Sequence, residues 1–328
     1  MASGRPLFSV IVLLYNQARF VEEALGSVRD QTWDPIELLV CDDASTDGSA
    51  ERAERWCREN SDRFANWKVI RSERNRGILP NQLAGIRESR GEFIKTLAAD
   101  DLLLPEALEA AAGYFLKEPG VGLACGGVQS FRAVEGRRVL GRKSPRPKNL
   151  PFFALSANRQ YRALATRRYG VSAPCVFARR AVYERIDLAS TGIRLYNDYP
   201  AWLSATLAGF RFGVIGKDTG LYRLSPSSVS HNLAALGPKM RRRWESDRVK
   251  TYRAIVLPNL DRLSPAERID VRYRALKAEN GAFNRNKPMR RLACGVCLAA
   301  MSVIDPLRWK DLAASARRRL GADKNREA

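Results

Sequence analysis

The stretch Ile36-Glu-Leu-Leu-Val-Cys-Asp42-Asp43-Ala-Ser-Thr-Asp47-Gly48-Ser49 decides the fold. Residues 36–41 read as a buried strand. The loop that follows is made of helix-capping residues, and 49–59 then reads as a helix. The same alternation extends outward in both directions. Residues 8–14 read as a fully buried strand, and 18–29 as a helix with Phe20, Val21, Ala24, Leu25 and Val28 on one face. Further on come a strand at 67–70, a helix at 80–89 and a strand at 92–97 that ends in Asp100-Asp101. Pro105 suits a first helical position, a helix follows to about 116, and 121–128 reads as a fifth strand. This alternation predicts an α/β class with a Rossmann-like, mainly parallel sheet flanked by helices. Ligands of such sheets sit beyond the carboxyl ends of the strands. Asp42/Asp43 and Asp100/Asp101 both fall there. One acidic pair in a loop is usually a solvated turn; two pairs on one sheet edge point to a site.

Residues 132–161 are basic and Pro-rich with no periodicity, and read as a long excursion over that edge. Strands are expected at 173–177, 212–215 and 220–223, and short helices at 180–186 and 200–208. Beyond 236 the pattern is helical and basic. The chain of 328 residues carries 56 Lys and Arg against 35 Asp and Glu, a net charge of +21. Residues 236–328 hold 23 basic and 10 acidic side chains, a net of +13, against +8 for the rest. Two parts are therefore expected, an α/β domain at 1–235 and a basic helical region at 236–328. The composition excludes a disordered tail, a collagen and a small disulfide scaffold. Such a charge implies a polyanionic partner: nucleic acid, an anionic membrane face or phosphorylated ligands.

The six cysteines, at 41, 57, 125, 175, 294 and 297, have no framework spacing, which predicts a reduced, cytoplasmic protein. Cys294 and Cys297 form a lone CxxC, and no second pair supports zinc. The apolar run 8–15 is too short for a secretory signal. No window reaches the roughly 18 apolar residues of a spanning helix. The nearest, 292–304, follows Arg290 and Arg291 and suits either a membrane surface or a buried helix.

Several chemistries drop out. No GxGxxG joins the first strand to its helix, no Walker A sequence occurs, and no GxSxG elbow is present. A single histidine, His231, excludes a multi-histidine metal site within one chain. Carboxylate chemistry remains. Asp100 and Asp101, placed after an apolar strand, offer oxygen ligands to one hard divalent cation, Mg2+ or Mn2+, which typically adds phosphate oxygens to one or two carboxylates. Such an ion stabilises charge on a leaving phosphate. With helix N-termini nearby, the edge would suit a nucleoside diphosphate.

In their order and spacing these motifs resemble the family 2 glycosyltransferases, which have the GT-A fold. The resemblance covers residues 7–233. It rests on Val10-Ile-Val-Leu-Leu-Tyr15-Asn16, on Glu37 to Ser49 as quoted, on Asn75-Arg-Gly77, and on Arg90-Gly91 through Asp100-Asp101 to Pro105. It continues with Asn197-Asp198-Tyr199, Tyr222-Arg223 and Ser228-Val-Ser230. The resemblance implies that Tyr15 stacks on the nucleotide base and that Asp43 accepts a hydrogen bond from it, with Asp42 beside it. Asn16, Asn75, Gly77 and Arg223 join the donor nucleotide site. Asp100 matches the last carboxylate of the family's DxD motif and is the implied metal ligand, with Asp101 as second ligand or donor-site group. Asp198 matches the family's general base, which must lie within hydrogen-bond reach of the acceptor hydroxyl. Taken alone, Asp198 equally suits a helix N-cap before Pro200. Arg223 equally suits pairing with an acid, and Trp202 and Phe210 fit core positions.

The chain departs from the family pattern at four places: Leu13 for Pro, Ala98 for the first acid of DxD, Gln82 for an arginine, and Ser225 where a histidine is common. The expected function is a metal-dependent inverting glycosyltransferase. It would move a sugar from a UDP- or dTDP-linked donor to a hydroxyl of a glycan or lipid-linked acceptor in cell-envelope polysaccharide synthesis. The basic tail would hold it peripherally on the inner membrane face. One alternative is a catalytically weak or inactive member of the family. Another is a basic nucleic-acid-binding protein, favoured by Arg241-Arg-Arg243-Trp244 but lacking any recognition motif, so no nucleic acid is expected. A nucleotidyltransferase would need a Gly-rich, Arg-containing first loop, which Tyr15-Asn16-Gln17-Ala18 does not supply.

Overall fold

A computed structural model describes residues 4–134, 137–167, 171–225, 237–283, 296–297 and 299–301. The chain divides into two compact units, 1–164 with 168–237, and 165–167 with 238–328.

In the first unit, β1 (Phe8–Leu14), β2 (Ile36–Asp42), β3 (Asn66–Arg71) and β4 (Phe93–Ala98) pair in parallel in the order β3-β2-β1-β4. Helices α1 (Val21–Arg29), α2 (Ser49–Glu59) and α4 (Ala107–Lys117) send Val21, Leu25, Ala53, Leu108 and Phe115 into one core with Val10, Val12 and Val40. On the opposite face Ile11, Leu39 and Ile94 pack with Ile86 of α3 (Ile78–Glu88). Both faces of β1 and β2 are therefore covered, which is why these strands read as continuous apolar runs. Each large buried side chain contributes about 1.5–3 kcal/mol. The charged Glu37 inside β2 is fully buried and satisfied. Its Oε2 accepts from Ser9 Oγ (2.6 Å) and from the Arg90 amide (2.8 Å). Ser9 Oγ in turn accepts from the Gly91 amide (2.8 Å), and a Cβ on Gly91 would lie 2.5 Å from that oxygen. Arg90-Gly91 is thus the fitting that seats the entry of β4 against β1.

Beyond β4 the sheet becomes mixed. It continues β8 (Val176–Arg179), β6 (Val121–Val134), β9 (Arg211–Arg223) and β5 (Leu102–Leu103), with β7 (Arg137–Ser144) on β6. β8 is antiparallel to both β4 and β6, and β9 is parallel to β6. The expected pair of late strands is the single strand β9, which passes through Gly216 at φ 79° and shifts register against β6. The aperiodic 132–161 excursion holds the β6–β7 hairpin, the turn Pro147–Ala154 and α5 (Ala157–Ala165). β7 is exposed along all but its last residue, so no alternation of buried positions marks it as a strand. α6 (Arg180–Arg185) and α7 (Asp198–Leu207) follow β8.

The second unit contains α8 (Pro238–Thr251) and α9 (Pro265–Phe283). A capping box starts α9: the Ser264 amide donates to Glu267 Oε2 (3.0 Å) and the Glu267 amide to Ser264 Oγ (3.4 Å), with Pro265 in the first turn. Among the described residues no helix is long and apolar enough to cross a membrane. Cys294, Ser228-Val-Ser230, His231 and most of 292–304 lie outside the described residues.

Candidate active site

The parallel register sets Leu13 beside both Cys41 and Ala98, so the segments after β1, β2 and β4 emerge on one edge. After β1 the chain turns through Asn16 at φ 51°, a left-handed conformation that asparagine tolerates. Asn16 binds the post-β2 loop twice: its amide donates to Ser45 Oγ (2.9 Å) and its Oδ1 accepts from the Thr46 amide (2.8 Å). Tyr15 stands 47% exposed at the rim, a position open to a planar ligand.

Asp47 finishes this clasp. Its carboxylate accepts from the Ala18 amide (2.9 Å), the Ser49 amide (3.0 Å) and Ser49 Oγ. Burial acts to raise its pKa, and the donated hydrogen bonds from Ser49 and Ala18 overcome this and hold it lowered. A lowered folded-state value contributes stability above the ordinary carboxylate range that is lost as pH falls through the folded value. Asp47 is exposed, and with solvent screening Asp47→Asn is expected to cost about 0.5–1 kcal/mol near pH 7. In urea unfolding, the gap from wild type should be flat above the ordinary aspartate pKa of 3.8 and close below it. A gap independent of pH would contradict the ionic role.

Asp42 and Asp43 are both 3% exposed. Asp43 spends one oxygen on the Arg76 amide (2.7 Å) and the other on the Gly77 amide (2.8 Å). It thereby shapes the Asn-x-Gly loop. Gly77 has φ 99°, and a Cβ there would lie 2.8 Å from the Arg194 carbonyl oxygen, so only glycine fits. Asn75 is exposed on the same loop. Asp42 Oδ2 accepts from the Ser45 amide (3.1 Å), while its Oδ1 is buried without a protein partner.

Asp100 and Asp101 follow β4. Asp101 is 3% exposed, and its Oδ1 accepts from the Arg223 amide (2.9 Å). Burial, and then the neighbouring Asp100 charge, push the Asp101 carboxyl well up; burial also raises Asp100. Beneath them Lys95 is fully buried and donates to the carbonyls of Pro174 (2.6 Å) and Val176 (3.2 Å), with burial pushing it down to about 8.

Arg223 is committed to the scaffold. Its guanidinium lies 4.5 Å from the ring centroids of both Phe20 and Phe131. Its Nε donates to the Asp100 carbonyl (2.8 Å), and its Nη2 pairs with Glu23. Of the two readings open at this position, pairing with an acid is the one observed. The guanidinium thus holds the Asp100 backbone, while the Arg223 amide holds the Asp101 carboxylate.

A cavity of about 190 Å³ opens beside Asp101 and is lined also by Ala98, Gln82, Asn197, Asp198, Trp202 and Tyr222, among others. Asp198 reaches it as the first residue of α7; its Oδ1 accepts from the Tyr199 amide (2.7 Å), and Asn197 occupies the cap position. The N-cap reading of Asp198 is thus shifted by one residue. Asn197 Nδ2 donates to Gln82 Oε1 (2.6 Å), and Gln82 Nε2 to Thr96 Oγ1 (3.2 Å). This chain of bonds fixes the start of α7 against β4. Trp202 packs edge-on to Phe212 and also borders the cavity. Tyr15, Asn16, Asp42, Asp43, Asn75 and Gly77 do not line it; they form the neighbouring stretch of the same edge. Thr96 is a cavity residue that spacing did not single out; Gln82 stood out only as a departure from the family, and Asn197 and Tyr222 only as members of the quoted motifs without an assigned role.

The donor set suits a hard cation. Burial raises the cost of ionising both carboxylates, the half-buried Asp100 adds to it at the buried Asp101, and a divalent ion would offset it. Among the described residues no group of three or more His, Cys, Asp or Glu could hold a metal, so phosphate oxygens would have to complete the shell.

A model of the glycosyl transferase family 2 matches residues 9–187, more than half of the chain, and the protein belongs to that family. It is 32% identical over 142 residues to the putative glycosyltransferase EpsE of Bacillus subtilis, covering 43% of this chain and 50% of that protein. It is also 32% identical over 122 residues to the chondroitin synthase of Escherichia coli, covering 37% of this chain and 16% of that protein. The chain thus spans half or less of these relatives. Among solved structures, S. aureus TarS 1–349 in complex with UDP-GlcNAc superposes with a TM-score of 0.58 at 21% identity, covering 85% of this chain and 74% of that one. The mannosyltransferase PcManGT of Pyrobaculum calidifontis, in complex with GDP-Man and Mn2+, superposes with a TM-score of 0.52 at 19% identity, covering 95% and 85%. The fold is GT-A.

Proposed function

We propose that the protein is an inverting glycosyltransferase that uses a nucleotide-sugar donor and a divalent cation. The observation that carries this is the convergence of Asp101 and Asp198 on one cavity from separate parts of the chain. The nucleotide lies along the edge formed by residues 15–16, 42–43 and 75–77. Tyr15 offers the base a face. Asp42, with its orphaned buried oxygen, is the better acceptor for a base N–H, because Asp43 is spent on the loop. Asp100 and Asp101 would hold Mg2+ or Mn2+, which when bound supplies charge stabilisation to the departing diphosphate. Arg223 keeps Asp101 in place through its amide.

In the transfer step the acceptor oxygen attacks the anomeric carbon while the bond from that carbon to the diphosphate breaks. The acceptor proton passes to the Asp198 carboxylate. A single displacement inverts the anomeric centre. The GDP-Man and UDP-GlcNAc bound by the structural neighbours support a nucleotide-sugar donor, and the family resemblance of the chain keeps a UDP- or dTDP-linked sugar as the proposed donor. The names of the relatives, chondroitin synthase and the O-antigen biosynthesis protein RfbC of Myxococcus xanthus, support an acceptor in polysaccharide synthesis.

Calorimetric titration with UDP, dTDP and GDP, with and without Mn2+, tests the donor site. At least one is expected to bind, and more tightly with the ion; no binding by any of them in Mn2+ would overturn the reading. The net +13 of residues 236–328 supports docking on an anionic membrane face, at about 1 kcal/mol per basic residue near the surface. Co-sedimentation with phosphatidylglycerol vesicles that salt abolishes is expected; equal sedimentation with neutral vesicles would contradict it.

A further inference from the structure

The β6–β7 hairpin and the strand end at Tyr222 enclose a second hollow, of about 510 Å³. This lies within the roughly 300–1,000 Å³ of ordinary ligand sites. Three arginines line it, Arg132, Arg142 and Arg146, and no acidic side chain does. All three are exposed, and among the described residues none of their guanidinium groups has an ion pair or a hydrogen bond. Two other cations of the same hairpin, which do not line the hollow, are neutralised. Arg138 pairs with Glu23 (2.6 Å) and Lys143 with Asp218 (2.6 Å). Arg137 of the same hairpin also has no ion pair among the described residues, so three of the four unpaired cations between 132 and 146 line the hollow. Its wall also carries Val139 and Leu140, which are 54% and 55% exposed.

Tyr222 lines both this hollow and the cavity of Asp101 and Asp198. The two spaces meet at that side chain. A ligand that extends from the hollow past Tyr222 would run toward Asp198, the proposed base. Guanidinium groups recognise carboxylates and phosphates through paired hydrogen bonds. Exposed aliphatic side chains suit the C–H faces of sugar rings.

We infer that the hollow is the acceptor subsite and that its occupant is an acidic glycan, a saccharide chain carrying carboxylates or phosphodiesters. The inference rests on the transferase reading of the adjoining cavity. A lipid surface is the other chemistry that arginines beside exposed valine and leucine could meet. The concavity, and the Tyr222 it shares with the cavity of Asp198, favour a chain.

The test uses the full-length protein and two anionic probes, a hexamer of mannuronic acid and a hexamer of glycerol phosphate, with cellohexaose as the neutral control. At least one anionic probe is expected to bind more tightly than cellohexaose and to weaken with salt. The combined variant Arg132→Gln/Arg142→Gln/Arg146→Gln should bind that probe about tenfold more weakly, or worse. Its nucleotide binding and unfolding midpoint should match wild type, which separates the effect from misfolding. Binding of neither anionic probe, equal binding of cellohexaose, or full affinity in the triple variant would each overturn the proposal. So would loss of phosphatidylglycerol-vesicle binding in the triple variant with anionic-probe binding unchanged, which would assign the hairpin to a lipid surface. If no nucleotide binds but a probe still binds in an arginine-dependent way, the transferase reading fails and the acidic-glycan site stands.

Discussion

Asp198→Asn is expected to reduce sugar transfer by about three orders of magnitude while donor affinity stays within a few-fold of wild type. The amide cannot take the proton from an attacking hydroxyl at neutral pH, so only the proton-transfer contribution is lost. The substitution should be quiet structurally. Asp198 Oδ1 accepts from the Tyr199 amide, and an asparagine Oδ1 can do the same, so the first turn of α7 keeps its bond. Asn197, Gln82 and Thr96 hold the helix start independently of the carboxylate. The checks are initial rates with a saturating acceptor and a separate donor titration. Near-normal transfer would remove Asp198 as the base. Equal loss of donor binding and transfer would make it a donor-site residue.

Asp101→Asn is expected to lower turnover by about a hundredfold or more and to abolish the dependence of nucleotide affinity on Mn2+. The same variant should be at least as stable as wild type when no metal is present. Asp101 is buried beside Asp100, and both carboxyls are raised because ionising them there is costly. Asparagine removes one of the two charges and keeps an oxygen for the Arg223 amide. A cation that binds only the folded protein raises its Tm, so Mn2+ should raise the Tm of wild type and leave Asp101→Asn unmoved. Loss of activity with an unchanged Mn2+ response would place the ion elsewhere. A large drop in stability would show that the pair is structural. Undiminished stability with a loss of function is what a site with a costly buried charge implies.

The parallel half of the sheet was legible because its physics is local. β1, β2 and β4 are covered on both faces, and an apolar run between capping residues and helices has few other solutions. The fittings around them were less visible. Glu37 reads as an interruption in an apolar strand until Ser9 and the Arg90 amide are seen to satisfy it. The antiparallel half was only partly legible. β7 is solvent-exposed almost throughout, and β9 runs through a glycine at positive φ, so neither shows the period of a half-buried strand. At the site, the aspartates announced themselves by their place after strands. Their division of labour did not, since the two loop amides bound by Asp43 lie 33 and 34 residues away, and the lack of a partner for Asp42 Oδ1 shows only in the folded packing. Arg223 is similar: the two phenylalanine rings and Glu23 that surround its guanidinium come from distant parts of the chain. Tyr222 lies between two cavities, a relation that no spacing carries.

The most direct test of the whole account is release of nucleoside diphosphate from a panel of UDP-, dTDP- and GDP-sugars in Mn2+, run in parallel on wild type, Asp198→Asn and Asp101→Asn. Release from at least one donor by wild type, strongly reduced in both variants, is the predicted result. No release from any donor, or release that neither substitution changes, would contradict the account.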